Sequence, residues 1–464
     1  MNESIESYLP APVSQTGFRS RDERIAIGKS LRDKLPRADH AIWQPPANRR
    51  DPIEILEESN QDRIPELIPI RYGRMLSSPF TFLRGSAALM AYDLSLMPNL
   101  GIDVQACGDC HLLNFGLFAT PERNLVFDIN DFDETHPAPW EWDLKRLAVS
   151  FVIAGRDNNF DDKDSEEAVE QCVRSYREHL RAYSQMSPLE IWYDRLDMDT
   201  IIDMAPNAKS KKLREEIAEK ARKRVSDNLF PKITAPVGGR HRFVEQPPLI
   251  FRPQLEDFEG RVEEALEDYR ESLSLERRVL LDRYRLEDMA LKVVGIGSVG
   301  TRCYIALFFS EDNHPLILQF KEARRSILEP YTRKSQFDNQ GERIVMGQRL
   351  MQSSSDIFLG WVRARNNYEF YGRQLRDMKI SFPVEGYSAL QMKSYAEYCG
   401  WTLARTQAKS GDSTTISGYL GKNDQFDKAI SKFALAYADQ IEKDYHSLVE
   451  AVRSGRVEAI EEDF

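Results

Sequence analysis

The sequence predicts an α+β fold in which one small β-rich lobe lies, in chain order, between two helical blocks. Apolar residues recur at helical spacing from about residue 140 to about residue 290. From 291 to about 382 the pattern changes to short runs rich in β-branched and aromatic residues, which are typical of strands. After Glu385 long helical patterns return. We therefore expect a two-lobed protein whose larger lobe is built from both helical blocks.

Composition narrows the class of protein. The chain has 464 residues, of which 41% are hydrophobic and 30% charged, so a folded protein with a large core is expected. The 63 basic and 74 acidic residues give a net charge of −11. Because a protein that binds nucleic acid normally carries a basic surface, nucleic acid is not an expected partner.

Targeting signals and cysteine use predict the compartment. No apolar stretch reaches the roughly 18 residues of a membrane span, so no membrane partner is expected. The N-terminal residues lack the basic and apolar regions of a secretory signal. Five cysteines, thinly spread, indicate reduced thiols rather than a disulfide framework. We therefore expect a cytoplasmic protein.

Five segments follow from the patterns along the chain. Residues 1–60 are polar and rich in proline, and they predict an N-terminal arm with one helix near 22–34. Helical spacing over 64–97 is broken at Pro79 and Gly85, and short strands are expected at 104–106 and at Leu125–Ile129. The predicted segments are the arm (1–60), the catalytic-loop part of the large lobe (61–185), a helical insertion (186–290), the small β-rich lobe (291–382), and helices that return to the large lobe (383–464).

The first motif with a chemical interpretation is CGDCHLLN at 107–114. Asp109 and Asn114 stand five residues apart, the spacing of the catalytic Asp and Asn in the kinase loop H-R-D-x-x-x-x-N. At that spacing the aspartate can reach an acceptor hydroxyl while the asparagine oxygen turns towards a metal ion. The following strand delivers Asp131, and Mg²⁺ prefers carboxylate and phosphate oxygens. The motif therefore predicts a metal-assisted site.

A second motif, VGIGSVG, follows at 294–300. Gly295, Gly297 and Gly300 fit G-x-G-x-x-G, and with Ser298 they are expected to contact a nucleotide. The motif stands between two predicted strands, whereas in a dinucleotide fold the glycines open a helix. That position favours a hairpin over phosphates, because backbone N–H groups can approach phosphate oxygens where no Cβ intervenes.

A lysine about twenty residues after the glycine motif completes the predicted nucleotide site. Lys321 lies on a predicted strand and could reach the α- and β-phosphates. A helix then carries Glu342, which we expect to pair with Lys321 and hold it. Glu322 and Glu329 are alternative partners for the lysine.

Several segments together resemble a bacterial family named as domain of unknown function 2252. The segments are SPFTFLRG, CGDCHLLNFG, LVFDINDFDET, VVGIGSVGTR, LQFKEA and LARTQAKSGD. The resemblance runs from about residue 60 to about residue 450. Its name implies no activity.

A more distant resemblance links the chain to aminoglycoside phosphotransferases and the protein-kinase-like superfamily. Those enzymes show G-D-x-H-x-x-N, which stands here as Gly108, Asp109, His111 and Asn114. The resemblance implies a catalytic or acceptor-orienting role for Asp109, with His111 beside it. It also implies metal ligands at Asn114 and Asp131, with Asp128 and Asp133 as alternatives.

The order of the motifs differs from that of kinases. Kinases present the glycine loop and its lysine before the catalytic loop, whereas here the glycine loop comes after it. Either the second motif is accidental or the kinase-like fold is circularly permuted. A permuted fold is the working prediction, with a hinge near 374–378 leading back to the large lobe.

The predicted function is ATP- and Mg²⁺-dependent transfer of a phosphoryl group to a hydroxyl-bearing acceptor, which could be a small molecule or a protein. Two alternatives use the same residues: transfer of the nucleotidyl group, and a non-catalytic nucleotide-binding protein that regulates through interaction. Residues 107–111 also allow a different interpretation, because they match C-x-x-C-H, the signature of haem attachment. The same cysteines could form a redox pair, or the cysteines and His111 could form part of a zinc site.

Overall fold

The computed structural model describes residues 19–253 and 257–460 and has a mixed α+β architecture. Residues 1–18 of the predicted arm lie outside this range. The N-terminal part is helical: α1 (Arg21–Lys34), α2 (Pro52–Ser59), α3 (Ile68–Met75), α4 (Pro79–Gly85) and α5 (Ala87–Ser95). The helix predicted near 22–34 is confirmed as α1, which Ser20 and Glu23 cap reciprocally. The breaks predicted at Pro79 and Gly85 coincide with the start and the end of α4.

The remaining elements follow in chain order. Next come β1 (Asp103–Ala106), β2 (Phe115–Ala119), β3 (Leu125–Ile129), β4 (His136–Pro139), α6 (Glu141–Asp157), α7 (Asp162–Tyr183), α8 (Pro188–Tyr193), β5 (Leu196–Asp197), α9 (Met198–Asp203), α10 (Ala208–Arg222) and α11 (Ser226–Ile233). The middle of the chain adds β6 (Thr234–Val237), β7 (Arg240–Phe243), β8 (Ile250–Phe251), α12 (Phe258–Glu271), α13 (Leu275–Leu281), β9 (Tyr284–Lys292), β10 (Cys303–Ser310) and β11 (Pro315–Glu322). The last elements are α14 (Gln340–Met351), β12 (Gly360–Arg363), β13 (Glu369–Gln374), β14 (Ile380–Ser381), α15 (Ala389–Ser410), α16 (Ser413–Leu420) and α17 (Gln425–Arg453).

Two antiparallel sheets position the site. The larger one has the strand order β12-β13-β11-β10-β9-β8, and the smaller has the order β14-β2-β3-β5. Strands β2 and β3 are buried along their whole length, as the apolar runs FGLFA and LVFDI predict. Strand β14, which follows the larger sheet in the chain, pairs with β2 through Ile380 and Leu117. The chain therefore passes directly from one sheet to the other.

The helical core forms around α6. This helix is buried from Glu141 to Gly155, and α7, α15 and α17 pack against it. Its first turn carries Glu141 and Asp143, whose carboxyl groups suit the positive end of the helix dipole. None of the helices in the two described ranges combines the length and apolarity that crossing a membrane requires.

The glycine motif forms the predicted hairpin. Residues 293–302 connect β9 to β10, and the two strands are antiparallel neighbours. Gly295 and Gly300 have φ angles of +67° and +86°, which residues with a Cβ rarely adopt. Strand β9 begins at Tyr284, before the predicted change of pattern at 291. Its segment RLEDMALK contains helix-forming residues, so the sequence pattern indicates a helix there, but strand pairing overrides that preference.

Candidate functional site

The two sequence motifs meet at one cavity of about 400 Å³. The residues of the first motif region that line it are Asp109, His111, Asn114, Asp131 and Asp133, and those of the glycine hairpin are Gly295, Gly297 and Ser298. Residues separated by more than 160 positions in the chain thus share a single chemical environment. A concave site with convergent polar groups is the usual form of a small-molecule site.

A direct contact joins the two motifs. The Lys321 ammonium on β11 forms an ion pair with Asp133, and its Nζ lies 3.7 Å from Oδ1 of Asp131. Tyr371 on β13 donates its hydroxyl to Oδ1 of Asp133 at 2.6 Å, and Ser298 donates to Oδ2 at 3.4 Å. The lysine of the glycine-hairpin sheet is therefore held by the acidic segment that follows β3.

Lys321 remains charged although it is buried. Burial by itself lowers the pKa of this ammonium, but the negative charges of Asp131 and Asp133 outweigh burial and raise its pKa well above the usual value. A stable positive charge at this place is the feature that phosphate oxygens require.

The predicted partner of Lys321 was wrong. Glu342 makes no ion pair with the lysine, whose acidic partners in the described chain are Asp133 and Asp131. The two alternatives are also engaged elsewhere. Glu322 pairs with Arg302 at 3.1 Å, and Glu329 pairs with Arg325 at 3.2 Å.

Helix α14 reaches the site through the residue that follows Glu342. Arg343 is buried and donates to the carbonyl of Asp133 at 3.0 Å, to that of Arg324 at 2.7 Å and to that of Thr135. The helix turns this side chain, and not that of Glu342, towards the acidic segment. Arg343 therefore fixes the position of the backbone that carries Asp133.

The loop at 107–114, which we call the catalytic-type loop because its spacing resembles that of the kinase loop, is held by two buried side chains of α6. Asp143 accepts the backbone N–H groups of Cys107 at 2.8 Å and of Gly108 at 3.1 Å. Arg146 donates through Nε to Oδ1 of Asp109 at 2.7 Å. Gly108 has a φ angle of +86°, and a Cβ there would lie 2.5 Å from the carbonyl oxygen of Glu134, so only glycine fits this turn.

Asp109 and Asn114 face the cavity with distinct oxygens. Because Arg146 binds Oδ1 of Asp109, Oδ2 is left with His111, whose Nε2 lies 3.8 Å away. Asn114 donates Nδ2 to the carbonyl oxygen of Asp109 at 2.6 Å, which leaves its side-chain oxygen available. Oδ2 of Asp109 is suited to accept a hydrogen bond from a hydroxyl group, and the side-chain oxygen of Asn114 is suited to bind a cation.

Asp131 has the properties of a cation ligand. Burial alone would raise the pKa of its carboxyl group, but the positive charges of Lys321, Arg373 and Lys379 lower the pKa to about 2. Its side chain is 37% exposed. A carboxylate with a lowered pKa that is partly open to the cavity, together with the Asn114 oxygen, fits the oxygen ligands that Mg²⁺ prefers.

Asp128 is not a cavity residue, and the structure corrects its candidacy as a metal ligand. It is fully buried, and Arg405 donates Nη2 to both of its oxygens at 2.7 Å. Ser353 adds hydrogen bonds from its backbone N–H at 2.8 Å and from its hydroxyl at 2.9 Å. Asp128 therefore ties β3 to α15 and leaves no oxygen directed at the cavity.

Replacing Asp128 by alanine should lower the free energy of unfolding by about 3–5 kcal/mol, because it leaves the Arg405 charge buried without its partner. Urea unfolding followed by circular dichroism measures the change. The control is Asp439→Ala, which removes an exposed partner of Arg156 and should cost less than about 1 kcal/mol. Equal costs for the two variants would contradict the structural role of Asp128.

His111 is expected to be neutral at physiological pH. Burial is the main cause that lowers its pKa to about 4, with Arg84 and Arg146 contributing in the same direction. Its folded pKa lies below the unfolded value near 6.5, so the unfolded state binds more protons between these values. The His111 contribution to stability is therefore present above pH 6.5 and is lost as the pH falls towards 4.

The variant His111→Gln should flatten the dependence of unfolding free energy on pH between about 4 and 6.5. Urea unfolding at several pH values in that window tests this, with His446→Gln, at an exposed histidine, as the matched control. An unchanged slope in His111→Gln would contradict a depressed histidine pKa.

The thiol pair of the first motif does not favour the redox or haem interpretations. Cys107, Cys110 and the Asp143 carboxylate lie within 4.8 Å of one another, and all three are buried. Burial raises the pKa of Cys110 to about 11 and that of Cys107 well above its usual value. Because the thiolate is the reactive form of cysteine, protonated thiols at these two positions do not favour redox chemistry.

Three residues contribute to the site in roles that the sequence analysis does not predict. Asp133 is predicted there only as an alternative metal ligand, and Tyr371 and Arg146 are not among the candidate residues. Arg146 lies three residues after Asp143, on the same face of α6, and this helical spacing is the signal that could have found it. Tyr371 reaches Asp133 only through the pairing of β13 with β11.

The fold and the cavity define an α+β protein with a charged site between a glycine hairpin and a catalytic-type loop. The chain belongs to the family described as uncharacterized protein conserved in bacteria (DUF2252), which matches residues 63–451. The resemblance to that family is thereby confirmed, and both motifs lie within the matched region. No curated protein and no solved structure matches the chain.

Proposed function

We propose that this protein is a phosphotransferase that uses ATP and Mg²⁺ to phosphorylate a hydroxyl-bearing acceptor, on a circularly permuted kinase-like fold. One observation carries the proposal. Lys321, on the strand next to the glycine hairpin, forms an ion pair with the acidic segment at the cavity that Asp109 and Asn114 also line. These residue types are the ones that phosphoryl transfer needs, and they converge on one place.

The order of elements in the larger sheet supports the proposal. The glycine hairpin joins β9 and β10, Lys321 lies on β11, and helix α14 follows before β12 and β13. In protein kinases a glycine-rich loop covers the phosphates, the lysine lies on the third strand, and the αC helix is set against it. The same succession of parts is present here.

The path of the chain after this sheet supports the permutation. Strand β14 pairs with β2, which begins directly after Asn114. Helix α15 follows, and its Tyr395 donates to the carbonyl oxygens of Leu112 at 2.8 Å and of Phe115 at 3.2 Å. The chain that leaves the glycine-hairpin sheet thus packs against the catalytic-type loop, as a permuted connection requires.

Each residue has a role in the proposed mechanism. The hairpin N–H groups and the Lys321 ammonium would hold phosphate oxygens, while Oδ2 of Asp109 would orient the acceptor hydroxyl and accept its proton. Asp131 and Asn114 would hold Mg²⁺, which supplies charge neutralisation when bound. Catalysis would then consist mainly of positioning and electrostatic stabilisation.

Product analysis tests the reaction type. The purified protein is incubated with Mg²⁺-ATP and a fractionated pool of bacterial small molecules, and nucleotides are separated by anion exchange. Formation of ADP that depends on Asp109 supports phosphoryl transfer. Pyrophosphate and AMP would indicate nucleotidyl transfer instead, and binding of ATP without either product would favour a regulatory nucleotide-binding protein.

A further inference from the structure

One wall of the cavity, which we call the arginine wall, is lined by a group of four arginines. They are Arg63, Arg71, Arg84 and Arg324. Within the described residues none of the four forms an ion pair. Arg71 is buried, and the other three are partly exposed. A guanidinium held away from solvent without a carboxylate or phosphate partner is energetically costly.

Two of these arginines bind only backbone carbonyl groups. Arg63 donates Nε to Ser59 at 3.1 Å and a second N–H to Val299, and Arg324 donates to Ser59 at 3.2 Å and to Gln61. These bonds orient the side chains without cancelling their charge.

The other two arginines have unsatisfied donors. Arg71 is only 2% exposed; it donates to the Asn60 side chain at 2.8 Å and to the Gly85 carbonyl at 2.6 Å, and its buried Nε has no partner. Arg84 has a buried Nε without a partner, and no described residue forms a hydrogen bond or ion pair with it. Burial lowers the pKa of Arg71 to about 10, as expected for a charge without a counterion.

The carboxylates around the cavity are already engaged with other cations. The pairs are Glu58 with Arg50, Glu322 with Arg302, Asp109 with Arg146, and Asp133 with Lys321. Two further acids line the cavity. Asp131 lies 3.7 Å from Nζ of Lys321, and Glu134 accepts the backbone N–H of Ile327 at 2.9 Å, with burial raising its pKa. The positive charge of the arginine wall is therefore available to a ligand.

We propose that this arginine wall binds an anionic group, a phosphate or a carboxylate, carried by the acceptor. The inference rests on the proposed phosphotransferase function and names its acceptor class: a hydroxyl compound with its own negative charge, in contrast to a polycationic aminoglycoside. Guanidinium groups match carboxylate and phosphate oxygens with paired hydrogen bonds.

The position of Arg84 links the anion to the catalytic-type loop. A Cβ on Gly297 would lie 3.2 Å from the backbone oxygen of Arg84, so the glycine hairpin passes directly over this residue. Arg84 lines the same cavity as Asp109 and His111, and its charge contributes to lowering the pKa of His111. An anion held by Arg84 would therefore bring its own hydroxyl near Asp109.

Calorimetric titration with inorganic phosphate, and separately with Mg²⁺-ATP, tests the proposal on the full-length protein. The variant is Arg84→Gln, because Arg84 forms no hydrogen bond or ion pair with a described residue and its guanidinium only lies 5.9 Å from the centre of the Phe80 ring, so the fold should be preserved. We expect its phosphate dissociation constant to rise about ten- to a hundredfold, with the Mg²⁺-ATP constant changing less than about twofold. The matched control is Arg453→Gln, an arginine at the end of α17 that is 72% exposed and lies outside the cavity, and this variant should bind both ligands like the wild type.

Each other outcome overturns the proposal in a different way. Equal weakening of both ligands would assign the wall to the phosphates of the nucleotide and leave the phosphotransferase function standing. Two results would contradict the anion site alone. One is wild-type protein that binds Mg²⁺-ATP but not millimolar phosphate, and the other is an Arg84→Gln variant with unchanged phosphate affinity. Phosphate binding without any affinity for Mg²⁺-ATP would retain an anion site but overturn its assignment to an acceptor.

Discussion

Replacing Asp109 by asparagine should reduce turnover by about 10²–10⁴-fold while leaving the affinity for Mg²⁺-ATP within about twofold. The carboxylate Oδ2 is free of Arg146 and faces the cavity, so its loss removes the group that orients the acceptor hydroxyl. Asparagine keeps the side-chain volume and can still accept the Arg146 hydrogen bond, so the loop should stay in place. ADP formation and calorimetric titration measure the two quantities.

Asp439→Asn is the control for this experiment, since Asp439 is an exposed partner of Arg156 on another part of the chain. It should retain full turnover and nucleotide affinity. If Asp109→Asn lost ATP affinity in parallel with turnover, Asp109 would be part of the nucleotide site rather than an acceptor-orienting residue.

Replacing Lys321 by methionine should weaken Mg²⁺-ATP binding by about ten- to a hundredfold, because it removes charge-assisted hydrogen bonds to phosphate oxygens. The same change leaves Asp133 and Asp131 without their nearest cation, and we expect a fall in unfolding free energy of about 3 kcal/mol. Titration calorimetry and urea unfolding measure these effects.

A second variant separates nucleotide binding from stability. In Lys321→Met/Asp133→Asn the uncompensated carboxylate is removed, so much of the stability should return while ATP affinity stays low. Recovery of ATP affinity together with stability would mean that Lys321 acts only as a structural partner of Asp133.

The sequence was most informative where function depends on local spacing. The glycine hairpin, the strand that carries Lys321 and the loop from Asp109 to Asn114 were each predicted, because turn geometry and strand patterning are encoded within a few residues. Their convergence on one cavity was expected only through the kinase-like resemblance.

The sequence could not predict which of several similar side chains makes a given long-range contact. Asp128, Asp131 and Asp133 stand close together in one short segment, and their roles differ because Arg405 pairs with Asp128 whereas Lys321 lies beside the other two. The prediction that Glu342 pairs with Lys321 is wrong because packing decides the rotation of α14 about its axis, and therefore which of its side chains faces the site. The arginine wall is assembled from residues 63–84 and from Arg324, so no local pattern reveals it.

Titration of the purified protein with ATP, in the presence and absence of Mg²⁺, tests the central claim most directly, which is that the two motifs form one nucleotide site. We expect saturable binding that requires Mg²⁺, that weakens in Asp131→Asn and that is largely lost in Lys321→Met. Absence of binding to a folded sample at millimolar ATP would contradict the joined site and, with it, the permuted kinase-like fold.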